Sequence, residues 1–505
     1  MPKLRQLAWG VTMNWIALGA SVIVSFFLAP FVVHRLGNTI YGVWVLVNSL
    51  VSYMALLDLG LRGAVTRFVS KGFAQGDHAA SSRALSAAFW MRVWIGLGAV
   101  FISGVLAIVV GRAFHIPSEL RTPAQWVAVV CGINFAVSLT SGVFGGVLSA
   151  LQRFDLLSAA TMLQTLLSAA GIVLLLRMGH GIIALAIWQL CVATICGALL
   201  ILLSFRNYRQ LVLSFHRPDK ETLRQLWNYS SFVFIINLSH QIVYYTDNLV
   251  VGAFLSATAV TFYAIGGNLV EYLRNLVSSL TSTFTPLAST LEAQEKTRRL
   301  QQLLIYGTRA GLFIALPVEL ALFFRGHTFI GLWMGAQYSD ISGHILRILL
   351  LAQFFILANG TSGGIAYGLG RHRPVAFWAL GEGIANLALS VFLVRRIGIS
   401  GVAWGTVIPS LVTYGMFWPW YSPRLVGLPV WNYLWQSWIK SGLSAIPFGV
   451  ACYYTDRFWV AKSLLQYFMQ IAAIFPLFAA GIAACFWSEL YAYARKRFGI
   501  ASGTT

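Results

Sequence analysis

The sequence predicts an all-α polytopic membrane protein with fourteen transmembrane helices, arranged as two six-helix lobes in a parallel repeat plus a C-terminal helix pair. Three observations predict it. Hydrophobic residues make up 58% of the 505-residue chain and charged residues only 10%, against roughly a quarter charged in soluble domains. Apolar stretches of about 20 residues, the length that crosses a hydrocarbon core of about 30 Å, follow one another almost without pause. Short motifs recur at a single offset along the chain.

Apolar windows bounded by charges, Gly and Pro place the first six helices at 9–33, 40–61, 84–111, 124–150, 156–176 and 181–205. The opening run from Leu7 to Val33 follows Lys3 and Arg5 but is too long for a cleavable signal core, so it reads as a retained helix. A basic, polar stretch from Arg206 to Arg224 comes next. Six more helices are predicted at 229–254, 258–286, 303–324, 344–368, 375–394 and 399–421, and a final pair at 437–455 and 463–488. The predicted organisation is an N-lobe over 1–208, a cytoplasmic linker over 209–228, a C-lobe over 229–424, the last two helices within 425–492, and a tail over 493–505.

Four matches support the repeat. Gly145-Gly146 through Arg153 resembles Gly363-Gly364 through Arg371, and Val32-Val33 pairs with Val250-Val251, both at an offset of 218. Arg177-Met178-Gly179 matches Arg396-Ile397-Gly398 at 219, and Arg309 lies 217 residues after Arg92. An even number of crossings per copy starts both copies on the same face, which makes the repeat parallel.

The basic residues set the orientation. With the N-terminus inside, 22 of the 35 Lys and Arg fall in cytoplasmic segments and nine outside, Arg325 among the latter. This bias puts both termini in the cytoplasm. The same clusters account for the net charge of +20 without a nucleic-acid partner, since they form no continuous stripe. Cys131, Cys191, Cys196, Cys452 and Cys485 all fall in apolar spans without a CxxC pair, so neither a disulfide framework nor a metal site is expected. None of the seven lysines follows a glycine, which excludes a phosphate-binding loop. No catalytic constellation and no cofactor motif is visible, and the chain is not expected to be an enzyme.

Charges within spans are the best functional pointers, because each costs about 2.5–3.5 kcal/mol at mid-helix and needs compensation. The anions are Asp58, Asp247, Glu271, Glu319 and Glu382; the cations are Arg62, Arg92, Arg274, Arg309 and Arg347. Arg62, Arg92, Glu271, Arg274 and Arg309 are the candidates for lining a central cationic cavity that binds substrate. Glu271 and Arg274, three residues apart, share a helical face and are either a structural ion pair or part of that lining. Arg92 and Arg309 lie within two turns of their predicted helix starts, where snorkelling to headgroups is the other reading. His240 and Asp247, seven apart in a span also carrying Asn237, Ser239, Gln241, Tyr244 and Tyr245, are candidates for ion coupling. Asp58, followed by Gly60 and Arg62, is expected to hold a helix terminus.

Several blocks resemble the polysaccharide transporter branch of the multidrug, oligosaccharidyl-lipid and polysaccharide exporter superfamily, the branch of the O-antigen flippases. They are Leu36-Gly37 with Tyr41-Gly42-Val43-Trp44, Leu56-Leu57-Asp58-Leu59-Gly60-Leu61 through Ala64 and Arg67, and Asp247 to Leu255 with Tyr263. Leu332-Trp333-Met334-Gly335 and the segment Gly398 to Gly405 extend the likeness over nearly the whole chain. The resemblance implies a V-shaped exporter fold working by alternating access. It implies a place in the bacterial inner (plasma) membrane and translocation of an undecaprenyl-diphosphate-linked oligosaccharide from the cytoplasmic to the periplasmic leaflet for O-antigen or exopolysaccharide synthesis. Membrane lipids, and the polymerase and chain-length proteins of the glycan pathway, would be its partners. The final helix pair, which drug exporters usually lack, would offer an apolar groove to the polyprenyl tail. The alternatives are a cation-coupled multidrug antiporter of the same fold and a non-transporting scaffold of a glycan assembly complex.

Overall fold

The computed structural model describes residues 2–58, 61–214, 238, 241–243, 245–281, 284–371 and 373–498. They are overwhelmingly helical, with no strand among them, and ten helices are long and apolar enough to cross a membrane. The chain is a multi-pass membrane protein. It divides into two compact units, residues 1–261 and 262–505.

In the first unit, the long helix His78–Ala113 packs along Ser118–Ala150, which packs in turn on Ile182–Asn207, while Pro2–Leu36 lies against Phe154–Arg177. Val65, Val69, Leu85, Val143, Phe144 and Val147 form the core where Leu61–Gln75 joins this stack. Helices in lipid associate through close backbone approach and interhelical hydrogen bonds, and both occur here. A Cβ at Gly42 would collide with the Ala257 carbonyl, so only glycine lets the Asn38–Ser52 helix reach that backbone. Thr261 Oγ1 donates to Asn38 O at 2.6 Å, and the Thr39 and Thr258 hydroxyls meet at 3.0 Å. Asn248 Nδ2 donates to Ser49 Oγ at 3.1 Å. These bonds hold residues 245–261 in the first unit, some fifty residues beyond the expected end of the N-lobe. Of the span predicted at 229–254, residues 229–237, 239, 240 and 244 lie outside the described residues, as does most of the predicted linker.

In the second unit, Thr297–Trp333 is the central post. Against it pack Ala336–Ala358, Gly360–Gly368 and the C-terminal helices Lys440–Phe458 and Leu464–Phe498. Leu304, Leu312, Leu316, Ile365, Tyr433, Phe448 and Phe478 fill the space between them. Arg373–Ile397 pairs with Ile399–Val412. Pro409 leaves its backbone bond unmade near the end of that helix, and the next turn, Thr413–Phe417, widens into π geometry before Trp418–Leu425. A second π stretch, Leu434–Ile439, leads into Lys440–Phe458.

Every predicted span overlaps helix in the structure, but the helices run further than hydropathy suggests. His78–Ala113 starts six residues before the predicted 84, and Thr297–Trp333 six before 303 and nine after 324. Their first turns are polar, so an apolar window passes over them, yet Asp77 caps the earlier helix by accepting from the Ala80 N–H at 2.8 Å. Arg92 and Arg309 are therefore three to four turns from their helix starts. Arg325, assigned by the charge tally to an outside loop, lies inside a helix with no exposed surface.

The backbone carries the repeat as well. Positive φ occurs at Gly76 and Glu295, at Gln152 and Gly370, and at Gly179 and Gly398. Each pair is separated by the 218 or 219 residues of the sequence repeat, so the turns match even where the side chains differ.

Candidate functional site

In the first unit the Asn38–Ser52 helix tightens into a 3-10 turn at Tyr53–Asp58. That turn carries Asp58 to Arg92, and the two form an ion pair. Arg92 is 2% exposed and Asp58 38%, so the cation is sealed while its partner is reachable. Arg92 Nη1 also donates to Leu139 O at 2.6 Å, and glycine at 142 leaves room beside the guanidinium. Five residues before Asp58, Tyr53 OH meets Thr246 Oγ1 at 2.5 Å, next to the buried Asp247. Arg62 follows in the Leu61–Gln75 helix, but its side chain lies outside the described residues, and so does His240.

In the second unit, Glu271 and Arg274 are both half-buried on the Ala257–Thr281 helix. Arg309 is more elaborately held. Its Nη1 and Nη2 grip Glu489 Oε2 and Oε1 at 2.5 and 3.2 Å, a bidentate fork, and its Nε donates to Gln436 O at 2.8 Å. The guanidinium lies over Phe486, 4.6 Å from the ring centroid, and near Tyr306 at 5.2 Å. Lys440 Nζ approaches Glu489 Oε1 at 3.5 Å, so two cations share one carboxylate.

Arg92 and Arg309 thus occupy repeat-related positions and each pairs with a half-exposed carboxylate, but the carboxylates differ in origin. Asp58 belongs to the same six-helix copy as Arg92. Its repeat counterparts, Asn275 to Val277, carry no acid, and Glu489 supplies the charge from the last helix. The predicted span ended at 488, one residue short of it.

Sequence reasoning missed a second ion cluster about 24 Å further along the same post, 16 residues at 1.5 Å each. Arg325 donates to Gln470, faces Asp456 Oδ1 at 3.7 Å, and stacks 4.7 Å from the Tyr467 ring. Asp456 also accepts from Thr328 Oγ1 at 2.9 Å and lies 3.5 Å from His327 Nε2. The signal available in sequence was Arg325 and Asp456, both at the apparent edges of apolar spans.

Two apolar grooves complete the unit. One, of about 400 Å³, runs between Thr297–Trp333 and Lys440–Phe458 along Leu316, Leu320, Phe324, Ile446 and Val450, with Glu319 buried in its wall. The other, about 610 Å³, lies between Arg373–Ile397 and Ile399–Val412, where buried Glu382 accepts from Ser410 Oγ at 2.7 Å. Asn386 Nδ2 donates to Thr406 Oγ1 at 2.8 Å one turn away.

A sequence profile described as "Polysaccharide biosynthesis protein" matches residues 40–343, more than half of the chain. The chain is 22% identical over 498 residues to the "Uncharacterized membrane protein EpsK" of Bacillus subtilis, covering 95% of this chain and 93% of that one. It is 20% identical over 374 residues to a "Putative O-antigen transporter" of Shigella flexneri, 74% and 87% covered. Among solved structures, the "Lipid II flippase MurJ" in an inward closed conformation superposes with a TM-score of 0.72 at 14% identity, covering 95% of this chain and all of that one. An inward-facing multidrug transporter of the MATE family gives 0.67 at 13% identity, covering 82% and 98%. These likenesses give the fold, the one that the flippase and the multidrug transporter share.

Proposed function

Since the chain belongs to the polysaccharide biosynthesis protein family, we propose that it is a flippase for lipid-linked oligosaccharides, carrying undecaprenyl-diphosphate-linked repeat units from the cytoplasmic to the periplasmic leaflet. The observation that carries the proposal is the pair of buried arginines, Arg92 and Arg309, at repeat-related positions, each opposed by a carboxylate that solvent can reach. A diphosphate offers an arginine the same two-oxygen fork that a carboxylate does, with more charge, so partner exchange is chemically natural. The relative named as a putative O-antigen transporter supports the substrate class. The apolar grooves suit a polyprenyl tail, which needs no polar partner. The Lys and Arg bias supports a chain with both termini in the cytoplasm of a bacterial inner membrane, and alternating access is the proposed transport mode.

The test is reconstitution. Purified protein in vesicles is supplied with an undecaprenyl-diphosphate-linked oligosaccharide in the inner leaflet, and a membrane-impermeant lectin reports its arrival outside. Protein-dependent arrival is expected, with at least a tenfold loss for Arg92→Gln. Vesicles containing the protein that expose substrate no faster than empty ones would overturn the proposal.

A further inference from the structure

The Arg309 cluster has more cation than its one carboxylate needs. We propose that Arg309 and Lys440 form a lipid-phosphate site on the second unit, masked by Glu489, which an incoming phosphate headgroup displaces. The inference deepens the flippase reading and rests on it only for which lipid brings the phosphate.

Four features of the cluster argue for it. The stoichiometry is two cations to one carboxylate, which leaves a net positive charge in a poorly solvated place. The exposure is asymmetric: the Arg309 side chain is 7% exposed and Glu489 37%, so the mask is the reachable member of the pair. Arg309 is also preorganised independently of Glu489. Its Nε bond to Gln436 O involves neither Glu489 nor the last helix, so it holds the guanidinium in place when the carboxylate leaves. Finally, the last helix departs from helical geometry at Phe486, with φ −116° and ψ 18°, three residues before Glu489. A kink there gives the segment bearing Glu489 its own rotation relative to the packed part of the helix.

Position along the post agrees with chemistry. Arg309 lies in the half of its helix that begins with Lys296, Arg298 and Arg299, where Gln301 meets the Val426 carbonyl just past Arg424. This is the end the charge bias assigns to the cytoplasm.

Masking predicts a gain of binding on removing the mask, which a purely structural clasp does not. Native mass spectrometry of the full chain in neutral detergent, titrated separately with undecaprenyl diphosphate and with phosphatidylglycerol, reads it directly. Glu489→Gln keeps the side-chain shape and removes the competing charge, so phosphate-lipid binding is expected to tighten about tenfold, which is about 1.4 kcal/mol. Lys440→Gln in the wild-type background, a milder change, is expected to weaken binding several-fold. A gain confined to undecaprenyl diphosphate identifies the site as a substrate subsite; equal gains for both lipids identify a general headgroup site. No gain with either lipid, or Lys440→Gln binding as tightly as wild type, overturns the inference. Wild-type flipping with no gain in Glu489→Gln removes this inference alone, whereas a gain in a protein that flips nothing leaves the site and removes the flippase.

Discussion

Replacing Asp456 by alanine should destabilise the second unit sharply, because Arg325 would keep its charge with no acid beside it. Arg325 has no exposed surface, and its hydrogen-bond and charge partners are Gln470 and Asp456. Breaking a buried ion pair from one side costs about 3–5 kcal/mol, since the remaining ion is uncompensated. Unfolding entropy of about 2.1 cal/mol/K per residue, taken over a unit the size of residues 262–505, is about 0.5 kcal/mol/K. The expected fall in Tm is therefore about 6–10 °C, measured on the purified protein by the change in tryptophan fluorescence on heating. Asp456→Asn can still accept from Thr328 but leaves Arg325 without an acid, so it should show most of the same fall. The double variant Arg325→Met with Asp456→Leu should recover most of the loss, because it removes the orphaned charge as well as its partner. A Tm for Asp456→Ala within about a degree of wild type would refute the reasoning, and so would a double variant that melts lower than the single one.

Other outcomes follow from the same coordinates. Gly42→Val should push the Asn38–Ser52 helix off the Ala257 carbonyl and lower both Tm and folded yield, whereas Gly19→Ala, which meets nothing, should be silent in the same melt. Gly481→Val should likewise separate the last two helices, because a side chain there runs into Ser444 O; monodisperse elution with unchanged Tm would contradict this. Glu319 has an Oε2 with no hydrogen-bond partner among the described residues, so Glu319→Met should match or exceed wild-type stability, by about 1 kcal/mol or more. A lower Tm would show that the carboxyl is satisfied. Glu382→Gln preserves an acceptor for Ser410 and should melt with wild type, while Glu382→Ala strands that hydroxyl in an apolar wall at about 1–3 kcal/mol.

Much of this architecture was legible before any coordinates. Hydropathy located the helices because lipid tolerates little else, and the 217–219 offsets marked a duplication that positive φ at Gly179 and Gly398 bears out in the backbone. Buried charge pointed to Arg92 and Arg309 on cost alone. What escaped was the partner of each charge. Pairing Arg92 with Asp58 depends on a 3-10 turn that no apolar window signals. Pairing Arg309 with Glu489 joins residues 180 apart in sequence, and nothing in either segment announces the contact. Arg325 was misplaced for a simpler reason. An arginine ends an apolar window whether it faces water or a carboxylate, so its true setting required Asp456 and Gln470 to be seen beside it.

The matched left-handed turns reach beyond topology. At Gly76 and Glu295 the two halves share a torsion but not a residue, and at Gln152 and Gly370 the glycine has changed sides. An L side chain at such a torsion is strained where glycine is not. Each half therefore holds a blueprint for relaxing the other, and transplanting glycine into positions 152 and 295 is the correction that the protein's own second copy already supplies.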